Sequence, residues 1–410
     1  MAEERRLAIC IKGGVSLGAY EAGVLAKTLE LIANNNSLPN AIPWYIDAFS
    51  GASAGSMTAV ATLCTLLNSK NDYLFDMWVS GASLSALAPD STAGVDDGFR
   101  NHDNLLAASA LDQLAHGFDT LPTAVANRHG ALRPGGGAVR MIFTLSNING
   151  VVQPIDTLNP TPLAFREYAD SARCDVTVDQ NGNLSVSSPD TRAITSNHGN
   201  NDSSTAWDAA VQSAIASGSF PLAFAPRGLW RWHPERKAYS AEFYSDGGLF
   251  DNDPVGKLIN LAHEIDWAPE NAAYQDRQRR YLIVHTAPAD AADTSIQRPA
   301  SWLDLNPIAL AGKIVPAFMD ESMESGLRGI TAVNQRFQQR LEVLNRFAKV
   351  AAASPGSTGP LQTAISALAA LRGFDDHQLQ TLRNFLIPDL KDADAALHDY
   401  VVRLPSPAQT

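Results

Sequence analysis

LAICIKGGVSLGAYEAGVL, residues 7–25, holds a strand, a turn and the start of a helix in that order. Leu7–Ile11 is a continuous apolar run, the kind that suits a central parallel strand buried on both faces. Gly13, Gly14 and Gly18 interrupt it. Leu17, Tyr20, Ala22, Val24, Leu25, Leu29 and Ile32 then recur at helical spacing until Asn34-Asn35-Asn36 ends the pattern. The chain repeats this order: Tyr45–Ser50 reads as a strand, and Ser56–Leu67 (SMTAVATLCTLL) as a mostly buried helix. Strand, helix, strand, helix predicts a parallel sheet with right-handed crossovers.

Further along, Val139–Leu145 and Tyr281–His285 read as strands, and Phe243–Ser245 leads as a strand into Asp246. Trp207–Ser217 has a helical pattern closed by Gly218, and Asp253-Pro254 gives an N-cap and first-turn proline for a helix through Ile265. Residues 84–137 are less regular and suit a lid or insertion. Residues 149–206 are polar and turn-rich, which predicts loops. Beyond about 300 strand signals stop, and Ala- and Leu-rich segments split by Pro307, Pro316 and the Ala353–Pro360 linker predict a helical region. The expected division is a core over 1–295 and a helical C-terminal region over 296–410 that caps the groove.

Composition narrows the function. The formal charge is −12, from 31 Lys+Arg against 43 Asp+Glu, with no long basic run. Phosphate neutralisation needs clustered cations, so a nucleic-acid partner is excluded from the reading. Cys10, Cys64 and Cys174 are widely spaced, and two lie in apolar runs, as reduced buried thiols of a cytoplasmic protein do. The charged start, Met1 to Arg6, leaves no room for a signal-peptide core, and no apolar stretch reaches the roughly 18–20 residues of a spanning helix. The expectation is a cytoplasmic protein, at most peripheral at a membrane surface.

Three turns at strand ends carry the chemistry. Gly51-Ala52-Ser53-Ala54-Gly55 has the Gly-x-Ser-x-Gly form, in which small neighbours let a serine sit on a sharp strand-to-helix turn at the positive end of the helix. An N-cap serine is the plainer explanation. Gly13-Gly14 lets backbone N–H groups converge on an oxyanion or a phosphate. A nucleotide loop fits less well, because Val15 breaks Gly-x-Gly-x-x-Gly and no Lys-Ser/Thr pair follows. Asp246-Gly247-Gly248 puts a carboxylate at a third strand end. Asp251 and Asp253 lack the ligand spacing of a calcium loop, and helix capping explains Asp253.

Taken together, IKGGVSLGAYEAGVL, FSGASAG and YSDGGLFDNDPV, with a weaker likeness at Ala214–Pro221 (AIASGSFP), resemble the patatin-like phospholipase family over residues 6–290. The resemblance implies an α/β/α sandwich with a mainly parallel central sheet. It implies hydrolysis of lipid acyl esters by a Ser-Asp dyad, with Ser53 as nucleophile, Asp246 as base and the Gly13, Gly14 and Val15 amides as oxyanion hole. Neither a metal nor an organic cofactor is implied. Two departures stand out: Val15 replaces a usual third glycine, and Leu17 a usual cation that would favour an anionic head group. Lys12 is the cation on the other side of that turn.

Ser53, Asp246 and His285 also follow the chain order of a Ser-Asp-His triad acting on soluble acyl esters. The dyad is favoured, because this aspartate turn is the one the family uses without histidine. A non-catalytic lipid-binding module is the contrasting class. Phe220, Leu222 and Phe224, and the segment from Trp302 to Met319, are candidates for an acyl groove, with core packing the plainer reading of each. Trp230-Arg231-Trp232-His233 suits a lipid surface, though a packed loop explains it more simply.

Overall fold

The computed structural model describes residues 4–14, 18–68, 72–81, 111, 117–118, 121–122, 125–134, 136–155, 163–188, 194–195, 203–221, 223–233, 237–266, 268 and 279–285. The chain divides into two compact units, Met1–Gly326 and Leu327–Thr410, and every described residue belongs to the first. The expected helical region beyond 296, including Trp302–Met319, lies outside the described residues.

Four parallel strands make the centre. They are β1 (Arg5–Ile11), β2 (Trp44–Gly51), β3 (Gly137–Ile155) and, last in the chain, β9 (Arg280–Val284), in the order β3-β2-β1-β9. The helices α1 (Gly18–Asn36) and α2 (Ala54–Leu67) make the crossovers expected from the opening stretch. Side chains alternate across a strand, and β1 uses both faces. Leu7, Ile9 and Ile11 join one apolar cluster with α1, α2 and α3 (Ser203–Ser217). Ala8 and Cys10 point the other way, where α4 (Val255–Asp266) packs on β1 and β2. Helices therefore cover both faces of the sheet.

Register fixes where the site can form. Ile11 pairs with Gly51 and with Val284, so β1, β2 and β9 end at one level. Lys12-Gly13, Ala52-Ser53 and His285 leave the sheet side by side, at the carboxyl edge where open parallel sheets hold their ligands.

The sheet beyond β3 is antiparallel, and here the sequence reading needs correcting. The stretch 149–206, read as loops, contains the end of β3, all of β4 (Leu163–Val178) and β5 (Leu184–Ser187), and β6 (Ile194–Thr195). In β4, Ala172, Cys174 and Val176 are buried, while Arg173 turns away to pair with Asp175 and Glu264. Those charges disguise the alternation. Trp230–His233 is likewise no loop but part of β7 (Arg227–His233), paired with β8 (Ala238–Ser245). Its inward positions are Leu229, Arg231 and His233, not the tryptophans. Arg231 is ion-paired with Asp170, and His233 Nε2 shares a 2.7 Å hydrogen bond with Ser240 Oγ.

Most of 84–137 lies outside the described residues, but Leu111, Phe118, Ala131 and Leu132 from it are buried in the main core. No helix among the described residues is long and apolar enough to cross a membrane.

Candidate active site

Ser53 follows β2 directly and takes φ 52°, ψ −128°, a backbone conformation that non-glycine residues seldom adopt and that costs on the order of 1–3 kcal/mol. The flanking glycines make the turn possible. A Cβ on Gly51 would stand 2.5 Å from the Ser56 Cα, and one on Gly55 2.3 Å from the Ile11 carbonyl of β1. The serine precedes α2, yet its side chain does not cap the helix. Instead, Ser53 Oγ donates to Asp246 Oδ2 at 2.6 Å, the length of a charge-assisted O–H···O bond. Its own N–H donates to Ser217 Oγ at 2.9 Å, and Ser217 also bonds Ser56 Oγ at 2.8 Å.

Asp246 arrives from the antiparallel side. β8 ends with Ser245 opposite Ser146 of β3, a few residues past the level at which β2 stops. The Asp246 N–H donates to the Ser219 carbonyl at 3.0 Å, and its carbonyl accepts from Ser146 Oγ at 2.6 Å. Oδ1 accepts from the Gly248 N–H at 2.7 Å, which leaves Oδ2 facing Ser53. Gly247 has to be glycine: a Cβ there would stand 2.1 Å from the Thr144 carbonyl. The carboxyl is fully buried, and burial pushes it up to about 7 against the opposing pull of the Ser53 and Gly248 hydrogen bonds.

Gly13 lies against this pair. A Cβ on it would stand 2.9 Å from the Ser53 Cβ and 2.1 Å from Asn252 Oδ1. Gly14 is half-buried beside it, while Val15 and Leu17 lie outside the described residues. Lys12 does not offer its charge to a head group. Its side chain is buried, with Nζ 2.7 Å from Asp253 Oδ2. Asp251 pairs with Lys257 at 2.5 Å, so each acid left over from a calcium-loop reading has a lysine. Among the described residues, no group of three or more His, Cys, Asp or Glu could hold a metal ion.

His285 is half-buried at the end of β9, where burial and then the nearby Lys12 charge hold its imidazole below the ordinary value. Phe220 and Phe224 are half-buried, and Phe224 packs against the main core; Leu222 lies outside the described residues.

Sequence reasoning did not single out Ser217, Ser146 or Asn252. The first and last sit inside the quoted AIASGSFP and YSDGGLFDNDPV stretches. Ser146, in the middle of β3, gave no signal.

No curated protein matches the chain. The family model described as patatin-like phospholipase matches residues 9–259, well over half of the chain and all three turns. The chain therefore belongs to the patatin-like phospholipase family, a family of lipid acyl hydrolases.

Proposed function

We propose that this protein hydrolyses carboxylic esters of lipids, of the phospholipase A or lysophospholipase kind, with Ser53 as nucleophile and Asp246 as its base. The observation that carries the reading is the direct 2.6 Å contact between a strained-turn serine and a fully buried carboxylate. Ser53 Oγ attacks the ester carbonyl as its proton passes to Asp246 Oδ2. The tetrahedral intermediate collapses, Asp246 returns the proton to the leaving alcohol, and an acyl-serine remains. Water, activated by the same carboxylate, then releases the fatty acid.

The difficulty of a dyad is basicity. An ordinary Asp has a pKa of about 3.9, far below that of a serine hydroxyl, and each unit of mismatch is worth about 1.4 kcal/mol. Burial lifts Asp246 to about 7 and recovers part of that gap. The oxyanion must supply the rest. Ser53's own amide is committed to Ser217, so the donors in this reading are the Gly13, Gly14 and Val15 amides, and Gly13 lies against Ser53. A triad needs an imidazole between hydroxyl and carboxylate, and a 2.6 Å contact leaves no space for one. That favours the dyad over His285.

Peripheral contact with a membrane fits the exposed side chains near the base. Phe250, four residues past Asp246, is half exposed and stacks on Tyr168 with ring centroids 6.0 Å apart. Three buried free thiols fit a reducing, cytoplasmic setting.

The test is product analysis after incubation with mixed phospholipid vesicles and with short soluble esters. Fatty acid released by the wild type and by His285→Ala, but not by Ser53→Ala or Asp246→Asn, is the expected result. Phe250→Ser is expected to slow turnover on vesicles several-fold while sparing soluble esters. Absence of turnover on any ester overturns the reading in favour of a binding module, and collapse in His285→Ala overturns the dyad.

A further inference from the structure

We propose that Lys12, Asn252 and Asp253 are positioning residues for ester hydrolysis, a clasp that fixes the Gly13 and Gly14 amides against Ser53; this rests on the glycine-turn oxyanion reading above.

Two adjacent glycines are the least constrained backbone a chain can have. Yet donors to an oxyanion act only if they are fixed within a fraction of an ångström before the charge develops. Neither glycine has a side chain with which to hold itself, so something else must hold both. The upstream anchor is Lys12. Its N–H donates to the Val284 carbonyl of β9 at 3.1 Å, and its Nζ reaches Asp253 Oδ2 at 2.7 Å with both side chains almost wholly buried. The lateral wall is Asn252. It is 1% exposed, and its carboxamide oxygen fills the space that a Cβ on Gly13 would need.

Both clasp residues from the far side belong to the segment that also carries the base. Asp246 leads through the 3-10 turn Gly247–Leu249 to Asn252 and Asp253. One short loop therefore both sets the carboxylate against Ser53 and packs Asn252 against the glycine turn. The remaining acid of that loop, Asp251, is occupied by Lys257, and α4 starts immediately after, with the Asp253 carboxylate also facing the Val255 N–H.

Stability alone gives little reason for such a pair. A buried Lys–Asp pair costs desolvation that well-packed apolar residues avoid, so replacing both partners is often neutral or stabilising. The pair is held by charge at short range rather than by an aligned hydrogen bond. What charge adds over an apolar contact is a directed tether between two loops.

The experiment is steady-state kinetics on a soluble ester, together with the affinity of a trifluoromethyl ketone, which forms a tetrahedral oxyanion adduct on a reactive serine. The principal variant is Lys12→Met/Asp253→Leu, which leaves neither charge unpaired. Its thermal midpoint should stay near wild type, while kcat and adduct affinity fall together by about 10–100-fold, the scale of an ångström-sized misplacement, and KM stays within about twofold. Lys12→Arg, which keeps the tether, should recover most of kcat. A folded double variant with wild-type kcat overturns the proposal, as does a loss that appears only in KM. If the double variant does not fold, Asn252→Ala carries the same readout: a joint fall in kcat and adduct affinity supports the clasp, and an unchanged kcat overturns it. The underlying reading fails separately, and visibly, if Ser53→Ala retains turnover.

Discussion

Two buried hydroxyl–carboxyl pairs draw their hydroxyls from one stretch of chain, Ser53 and Thr58, and only the first is proposed as a catalyst. Ser53 Oγ and Asp246 Oδ2 are 2.6 Å apart; Thr58 Oγ1 and Glu21 Oε2 are 2.9 Å apart. Both carboxyls are fully buried, and burial pushes them up to about 7 and about 8 respectively. By proximity and basicity alone, Thr58–Glu21 is as good a dyad. The difference lies in the backbone. Thr58 sits within α2, where Glu21 and the Ala54 carbonyl, 2.8 Å away, compete for its one hydroxyl proton and its oxygen accepts from Trp78 Nε1 at 3.0 Å. Helix-interior amides are spent on the helix itself, so nothing there can meet an oxyanion. Ser53 sits on a strained turn with a glycine loop at its side. A carboxylate beside a hydroxyl makes a hydrogen bond; the strained turn and the glycine loop against it are what set Ser53 apart.

The largest expected contrast is between the pairs themselves. Ser53→Ala should reduce ester turnover to background, and Asp246→Asn should lower kcat about 10²–10⁴-fold, the usual worth of a general base. Thr58→Val should cost about 1–3 kcal/mol of stability, from partners left without their hydrogen bond, and change kcat only a few-fold. Equal losses in Thr58→Val and Ser53→Ala, with both folded, would erase the distinction.

Next in size is the turn. Gly55→Ala drives a methyl into the Ile11 carbonyl 2.3 Å away and shifts the elbow. The expected loss is about 10–100-fold in kcat, larger than its effect on KM. A wild-type kcat would mean that the strained turn is not what separates the two hydroxyls.

A smaller and more diagnostic effect is pH. Asp246 must be ionised to accept the Ser53 proton, and burial raises its carboxyl to about 7. The value of kcat/KM should therefore fall about tenfold per pH unit below about 7 and level off above it. Stability runs the opposite way. A carboxyl whose folded value is raised holds its proton more tightly in the native state, so its contribution is present below about pH 4 and is lost as pH rises through about 7 for Asp246 and about 8 for Glu21. The smallest effect isolates the inert pair. Glu21→Gln should leave turnover unchanged and raise the thermal midpoint by a few degrees at pH 9, with little change at pH 5. Thermal melts at the two pH values check it.

The same contrast explains what the sequence revealed. The parallel centre is legible because a strand buried on both faces reads as an unbroken apolar run, as Leu7–Ile11 does. Ser53 and Asp246 are legible because these tight turns have no room for a Cβ at Gly51, Gly55 or Gly247, and the glycines there are a signature. The antiparallel flank is not. β7 turns Arg231 and His233 inward and its tryptophans only partly so, the reverse of what hydrophobic alternation reads. β4 hides its buried face behind Arg173 and Asp175. Ser217 was invisible as a partner because it meets Ser53 across 164 positions of chain. No local pattern records a contact that topology alone creates.

The central claim is that Asp246 activates Ser53 directly. Its most direct test is the rate at which an alkyl phosphonate ester labels the protein, followed by mass spectrometry across pH in wild type and Asp246→Asn. The label is expected on Ser53, at a rate that climbs as pH rises through about 7, with labelling that is slow and flat in Asp246→Asn. A label on another residue, or an Asp246→Asn rate equal to wild type, would contradict it.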